Sequence, residues 1–228
     1  MKKQKVALLW DIDGTLLTTN GLGRGPLLDA IRCSTGFKGD YDLATSFGLT
    51  DHQIVNNVIN SFGITVKNPE ELIDEILEDY CVRYELLLQN KRTTILNGID
   101  SILQVLNDHE NVVNMICTGN IMKGAKIKLR NVGLDEFFAS HNYFCSENLG
   151  NRSEIVARAK RAAVYQGYEP IVIGDTIHDI EAAKINGIKC IALENKSYSI
   201  NSLNEASPDT LLRLGWQLKD LENAIYDV

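Results

Sequence analysis

The chain has 228 residues, 44% of them hydrophobic and 23% charged, enough to bury a sizeable core as one α/β domain or as a core carrying a smaller inserted one. No apolar run approaches the ~20 residues needed to cross a bilayer, which argues against a membrane-embedded protein. A formal charge of −7 argues against nucleic acid as the partner, since backbone binders display a basic face. The five cysteines, Cys33, Cys81, Cys117, Cys145 and Cys190, are odd in number and widely spaced. They suggest neither a disulfide framework nor a zinc site, and are read as reduced, mainly buried thiols of a cytoplasmic protein.

Lys2-Lys3-Gln4-Lys5 ahead of Val6-Ala7-Leu8-Leu9-Trp10 has the outline of a signal sequence, but Asp11 cuts the apolar part too short. Val6 to Trp10 is instead the continuous apolar run of a strand buried on both faces of a parallel sheet. It delivers Asp11 and Asp13 into a Gly14-Thr15 turn, the kind of construction that serves phosphoryl transfer. Positions i and i+2 of an extended chain share one side, so both carboxylates can address one ligand while Ile12 points away.

From Leu17 to about Asn90 the pattern is helical, with no strand signal. Pro26 opens a first helix that runs through Leu27, Leu28, Ala30 and Ile31 to near Gly36. Thr50 and Gln53 make a capping box for a second, striped with Ile54, Val55, Val58, Ile59 and Phe62. Asn68, Pro69 and Glu71 supply the cap, first-turn proline and box partner of a third, whose Leu72, Ile73, Ile76, Leu77, Tyr80, Tyr84 and Leu87 face inward.

After Arg92 short apolar runs alternate with amphipathic helices, the pattern of a parallel α/β sheet. Helices are expected over 98–106, 122–132, 154–165 and 179–186, and strands over 112–117, 143–145, 171–173 and 188–193. Residues 195–209 read as a polar loop, and a last helix starts near Leu218. At the end of the 112–117 strand, Thr118-Gly119-Asn120 offers a hydroxyl and a flexible amide at a helix start, suited to phosphate oxygens or to plain helix capping.

Asp11-Ile12-Asp13-Gly14-Thr15 resembles the first motif of the haloacid dehalogenase superfamily, and Gly174-Asp175-Thr176-Ile177-His178-Asp179 resembles its acidic motif. Members of that family are mostly magnesium-dependent phosphatases acting through an aspartyl-phosphate. The resemblance implies a Rossmann-like parallel sheet core with helices on both faces at residues 1–16 and 92–228, plus an inserted all-helical cap domain at 17–91. It implies Asp11 as nucleophile, Asp13 as general acid and base, and Thr118 with Gly119 and Asn120 as phosphate donors. Mg2+ is implied at Asp11, Asp13 and Asp175, since a hard cation wants oxygen ligands. Asp179 then holds a metal-bound water or orients Asp175, or is merely a carboxylate favoured at a helix N-terminus.

The third motif departs from the family, which usually places a Lys ahead of the acidic pair. Asn151-Arg152-Ser153-Glu154 stands there, so the cationic role goes to Arg152, whose guanidinium can engage two oxygens at once. Lys128 is the rival. Arg24 could touch a second anionic group of the substrate. Phe47-Gly48-Leu49-Thr50-Asp51 resembles the specificity loop of helical caps, and reads equally as a turn followed by a helix cap.

Together these features imply a phosphatase for a small phosphorylated metabolite, monomeric or homodimeric, with neither nucleic acid nor membrane as partner. Asp13 disfavours dehalogenation, which in the family lacks an acid there, and the want of an obvious cap lysine disfavours phosphonate hydrolysis. A phosphomutase, using the same two aspartates under a cap that keeps water out, is the alternative. A non-catalytic metabolite-binding protein is the second.

Overall fold

The structure, a computed structural model, describes residues 4–46, 48–147, 151–195 and 199–226. Lys2 and Lys3 of the signal-like stretch and Phe47 of the candidate specificity loop lie outside them. In chain order the elements are β1 (Val6–Trp10), β2 (Leu17–Thr18), α1 (Arg24–Thr35), α2 (Asp51–Ser61), α3 (Pro69–Leu88) and β3 (Thr94–Ile95). There follow α4 (Ile99–Asn107), β4 (Val112–Cys117), α5 (Met122–Asn131), β5 (Tyr143–Phe144), α6 (Arg152–Tyr165) and β6 (Glu169–Gly174). The chain continues with α7 (Ile177–Ile185), β7 (Lys189–Leu193), α8 (Ile200–Glu205), β8 (Thr210–Leu212) and α9 (Leu218–Tyr226).

Six strands form one parallel sheet in the order β5-β4-β1-β6-β7-β8. All five residues of β1 are buried because the strand is central and covered on both sides. Alternation sends Leu8 and Trp10 into one apolar layer with Leu103 of α4 and Leu221 of α9, and Ala7 and Leu9 into another with Ile155 of α6 and Ile180 of α7. This is the Rossmann-like α/β core expected from the rhythm of the sequence. Among the described residues no helix is long and apolar enough to cross a membrane. Four cysteines are buried, Cys33 is exposed, and all five are free thiols.

Helices α1, α2 and α3 build a third apolar core from Leu27, Ile31, Val55, Val58, Ile76, Tyr80 and Tyr84. Ile127 of α5 belongs to that core, whereas Ala125 and Leu129 of the same helix face the sheet layer. The helical block is thereby seated on α5. The chain passes into and out of it through β2 and β3, which pair antiparallel, Leu17 opposite Ile95 and Thr18 opposite Thr94.

Several local expectations need correction. The β2 and β3 strands carried no pattern because each is two residues long. Helix α1 starts at Arg24, ahead of Pro26, which is tolerated in the first turn because its missing N–H has no intrahelical partner there. The Glu71 carboxylate accepts from Asn68 Nδ2 at 3.0 Å instead of closing a box on the backbone. Helices α6 and α7 begin earlier than the apolar pattern suggested, at the caps Asn151 and Thr176. The supposed loop 195–209 contains α8, capped by Ser199 Oγ accepting from Ser202 N at 3.1 Å and anchored by buried Leu203. Strand β8 then extends the sheet edge, burying Leu212.

Candidate active site

The carboxyl ends of β1, β4 and β6 lie side by side, which is where open parallel sheets present ligands. They bring Asp11, Thr118 and Asp175 together at one end of a cavity of about 370 Å3, between the sheet and helices α1 to α3. Asp13, Gly119, Asn120, Lys128, Arg152 and Arg24 line the same cavity, as do Thr176, Asp51 and Tyr80. Arg24 is an exposed side chain of α1.

Asp11 is buried, and its backbone N–H donates to Ile173 O at 2.9 Å, which pins the end of β1 to β6. Arg152 Nη2 stands 2.7 Å from Asp11 Oδ1 and 2.6 Å from Asp179 Oδ1. The α6 N-terminus places this guanidinium, because Asn151 caps the helix by accepting from Glu154 N at 3.1 Å. Asp179 does two things: its Oδ2 accepts from Thr176 N at 3.1 Å and Thr176 Oγ1 at 2.7 Å, closing a capping box on α7, while Oδ1 holds Arg152.

Asp175 Oδ1 accepts from Thr15 Oγ1 at 3.0 Å and its Oδ2 from Asn195 Nδ2, which also donates to Gly14 O at 3.1 Å. Asn195 is a member of the site that carried no local signal. It follows the end of β7, the strand beside β6, and that topology was the only pointer to it. Gly14, at φ +87°, lies so close that a Cβ there would run into Asp175.

Burial raises the Asp11 carboxyl to about 6; Arg152 lowers it, and the charges of Asp179 and Asp13 add to the rise. Asp175 is pushed well above the carboxylate range, by burial first and then by Asp11 and Asp179. Asp11, Asp175 and Asp179 each place an oxygen within 4.8 Å of the others, with Arg152 as the cation among them. Excess buried negative charge on an all-oxygen donor set fits a hard divalent cation.

The two cations weighed as rivals are both present and do different things. Arg152 faces Asp11. Lys128 Nζ lies 2.6 Å from Asp13 Oδ2 and donates to Asn120 Oδ1, while Asn120 Nδ2 donates to Asp13 Oδ2 and Thr118 Oγ1, each at 2.8 Å.

The helical block meets this turn directly. Asp51 N donates to Gly119 O at 2.9 Å, and Ile121 N donates to Asp51 Oδ2 at 2.9 Å. Asp51 of α2 thus accepts one of the unpaired N–H groups at the start of α5, that of the N-cap residue Ile121, which has no side-chain acceptor of its own. A Cβ on Gly119 would stand 3.0 Å from Leu49 O and 3.2 Å from Thr50 Cα, so the glycine lets the loop approach. Thr50 is a helix cap with its full box, and Gly48, at φ +79°, sits against the His178 ring where a Cβ would collide.

A doubly wound sheet with buried aspartates from two strand ends, a guanidinium on one of them and a hydroxyl from a third strand defines a hydrolase site of the haloacid dehalogenase type. The family model described as haloacid dehalogenase-like hydrolase matches residues 8–193, and the chain belongs to that family. Among curated proteins it is similar to the pyrophosphatase PpaX of Halalkalibacterium halodurans, 26% identical over 94% of this chain and 95% of that one. Among solved structures it resembles a hydrolase from Pseudomonas syringae, TM-score 0.73 and 20% identity over 97% of this chain and 99% of the other. It also resembles CbbY from Rhodobacter sphaeroides in complex with phosphate, TM-score 0.72 and 17% identity over 92% and 94%. These structural likenesses establish the fold.

Proposed function

We propose that the protein is a magnesium-dependent phosphatase that hydrolyses a small phosphomonoester through an aspartyl-phosphate on Asp11, under a cap formed by residues 17–91. The observation that carries this reading is the placing of Asp11: a buried carboxylate facing a cavity of metabolite size, paired with Arg152 and close to Asp175. The Asp11 carboxylate attacks phosphorus, and the bond to the leaving oxygen breaks as Asp13 gives that oxygen a proton. Asp13 then takes a proton from water as the water attacks the same phosphorus, releasing phosphate and restoring Asp11. Thr118, the Gly119 amide and Arg152 hold the phosphoryl oxygens, while Asn120, whose amide is taken up by Asp13 and Thr118, holds the turn between them.

Mg2+ would be held by Asp11, the Asp13 backbone carbonyl and Asp175, with Asp179 behind them, and would offset the repulsion between nucleophile and phosphate. The Asp13 carboxylate is engaged by Lys128 and Asn120, which leaves its carbonyl for that role. Arg24, from the start of α1, reaches a second anionic group on the substrate. The test is phosphate release from a panel of sugar phosphates, other phosphomonoesters and inorganic pyrophosphate, with and without Mg2+, for wild type and Asp11→Asn. Pyrophosphate is included because of the relative in Halalkalibacterium halodurans. Metal-dependent release abolished by Asp11→Asn supports the scheme, and undiminished release in the variant overturns it.

The docking of Asp51 on Gly119 closes the helical block over the phosphate turn, which favours a phosphomutase as the second reading. Interconversion of sugar phosphates without net phosphate release would distinguish it.

A further inference from the structure

We propose that Lys128 is a positioning residue for the proton-transferring carboxylate Asp13, acting on departure of the leaving group and not on the phosphoryl group; this rests on the phosphatase reading above. Lys128 is a buried lysine, 6% exposed, on α5, a helix that contributes to both the α1–α3 core and the sheet core. Its ammonium does not approach Asp11, whose cation is Arg152. It lies 2.6 Å from Asp13 Oδ2, and Asn120 Nδ2 donates to that same oxygen at 2.8 Å. Lys128 also donates to Asn120 Oδ1, so the three side chains brace one another. With Oδ2 held from two directions the carboxylate cannot rotate freely, and Oδ1 is the oxygen left to exchange a proton with the leaving group.

The helical block encloses the ammonium. Tyr80 and Tyr84 of α3, neutral phenols stacked with centroids 5.6 Å apart, and the Asp51 carboxylate of α2 lie near Lys128. Seating of the block on α5 therefore fixes Lys128, and Lys128 fixes Asp13. The neighbouring Ile127 is the apolar part of the same contact.

Leaving-group chemistry separates this role from a phosphate clamp. An alkyl phosphomonoester needs a proton on its departing oxygen, whereas p-nitrophenyl phosphate departs as a stable phenolate. Lys128→Met keeps side-chain length and removes the charge. In the full chain it is expected to lower kcat/KM for the alkyl ester by roughly 10²-fold. The loss with p-nitrophenyl phosphate should be smaller by at least ~10-fold, because the assisted proton transfer is what general acid catalysis supplies. Inhibition by inorganic phosphate should be unchanged. In an Asp13→Asn background, Lys128→Met should have no further effect on the alkyl ester, since residues acting as one unit are not additive.

Equal losses on both esters with weaker phosphate inhibition would make Lys128 a clamp and overturn the assignment, as would full activity on both. Lys128→Gln, which retains a donor, serves if the Met variant does not fold, and the same comparison decides. Wild-type hydrolysis that is absent, or insensitive to Asp11→Asn, marks failure of the phosphatase reading itself and takes this assignment with it. Asp11-dependent hydrolysis with equal losses in the Lys128 variants marks failure of the assignment alone.

Discussion

One nitrogen of Arg152 bridges Asp11 and Asp179, at 2.7 Å and 2.6 Å. Asp11 is thereby tied to the capping box that starts α7. Removing one partner of a buried ionic group costs about 3 to 5 kcal/mol because the remaining charges lose their compensation. Arg152→Met should therefore destabilise the metal-free protein by about 3 kcal/mol or more at neutral pH. Acidification, which neutralises the stranded carboxylates, should recover much of the loss. Chemical denaturation at two pH values measures both effects.

The raised carboxyl of Asp11 sets a pH dependence whose sign is fixed. The folded state binds its proton up to about 6, against an ordinary value of 3.8, so between those values folded protein holds more protons than unfolded. The contribution is full below about pH 4 and is lost as pH rises through 6, by about 3 kcal/mol. Asp175, raised in the same direction by burial, adds to it. The difference in stability between wild type and Asp11→Asn should shift in favour of the variant across this window in metal-free buffer.

Divalent metal should reverse that loss. Ligands must be ionised to bind, so Mg2+ should raise the melting temperature more at pH 7.5 than at pH 5. Thermal melts with and without Mg2+ at the two pH values provide the check. An equal shift at both would mean the ion binds somewhere other than among the raised carboxyls.

Gly14→Ala places a methyl group against Asp175 in a backbone conformation, φ +87°, that alanine tolerates poorly. Asp175 and Asn195 would both have to move. Disturbing groups that orient a metal ligand typically costs 10-fold to 100-fold in metal affinity or activity. The Mg2+ concentration for half-maximal activity should rise by roughly that factor.

Asp51→Ala removes the acceptor that α5 borrows from α2, worth about 1 kcal/mol as a lost helix cap. It also loosens the docking of the helical block on the phosphate turn, so KM should rise more than kcat falls. Asp51→Asn keeps an acceptor and should restore most of both. Steady-state kinetics beside urea denaturation separates the two effects.

The legible parts of this structure were those written locally. The apolar run of β1, the boxes at Thr50 and the caps at Asn68 each depend on residues within a turn of one another, and the helices and strands they define are present. Helix α8 was not legible because six residues with one buried side chain, Leu203, have no periodicity to show. At the site, Asp11, Asp13, Thr118, Asp175 and Asp179 follow strand ends and could be named from the chain alone. Which of Arg152 and Lys128 met which carboxylate depended on how α5 and α6 lie across the sheet. Asp51 could be named only as the end of a candidate specificity loop or helix start, and Asn195 was silent, for the same reason: each contacts residues that lie far from it along the chain but close in the fold.

The two passages between sheet core and helical block are joined as the β2 and β3 pair, and that ribbon grows straight out of the first motif: Gly14 N donates to Leu17 O at 2.8 Å, and Leu96 N to Leu16 O at 3.0 Å. Two strands laddered together bend as one flexure, with a single axis where two separate tethers would leave several. Segments 19–23 and 89–93 join that ribbon to α1 and α3, so the ribbon lies between the helical block and the turn carrying Asp13. The turn that carries Asp13 is therefore braced by both crossings of the helical block as well as by the end of β1.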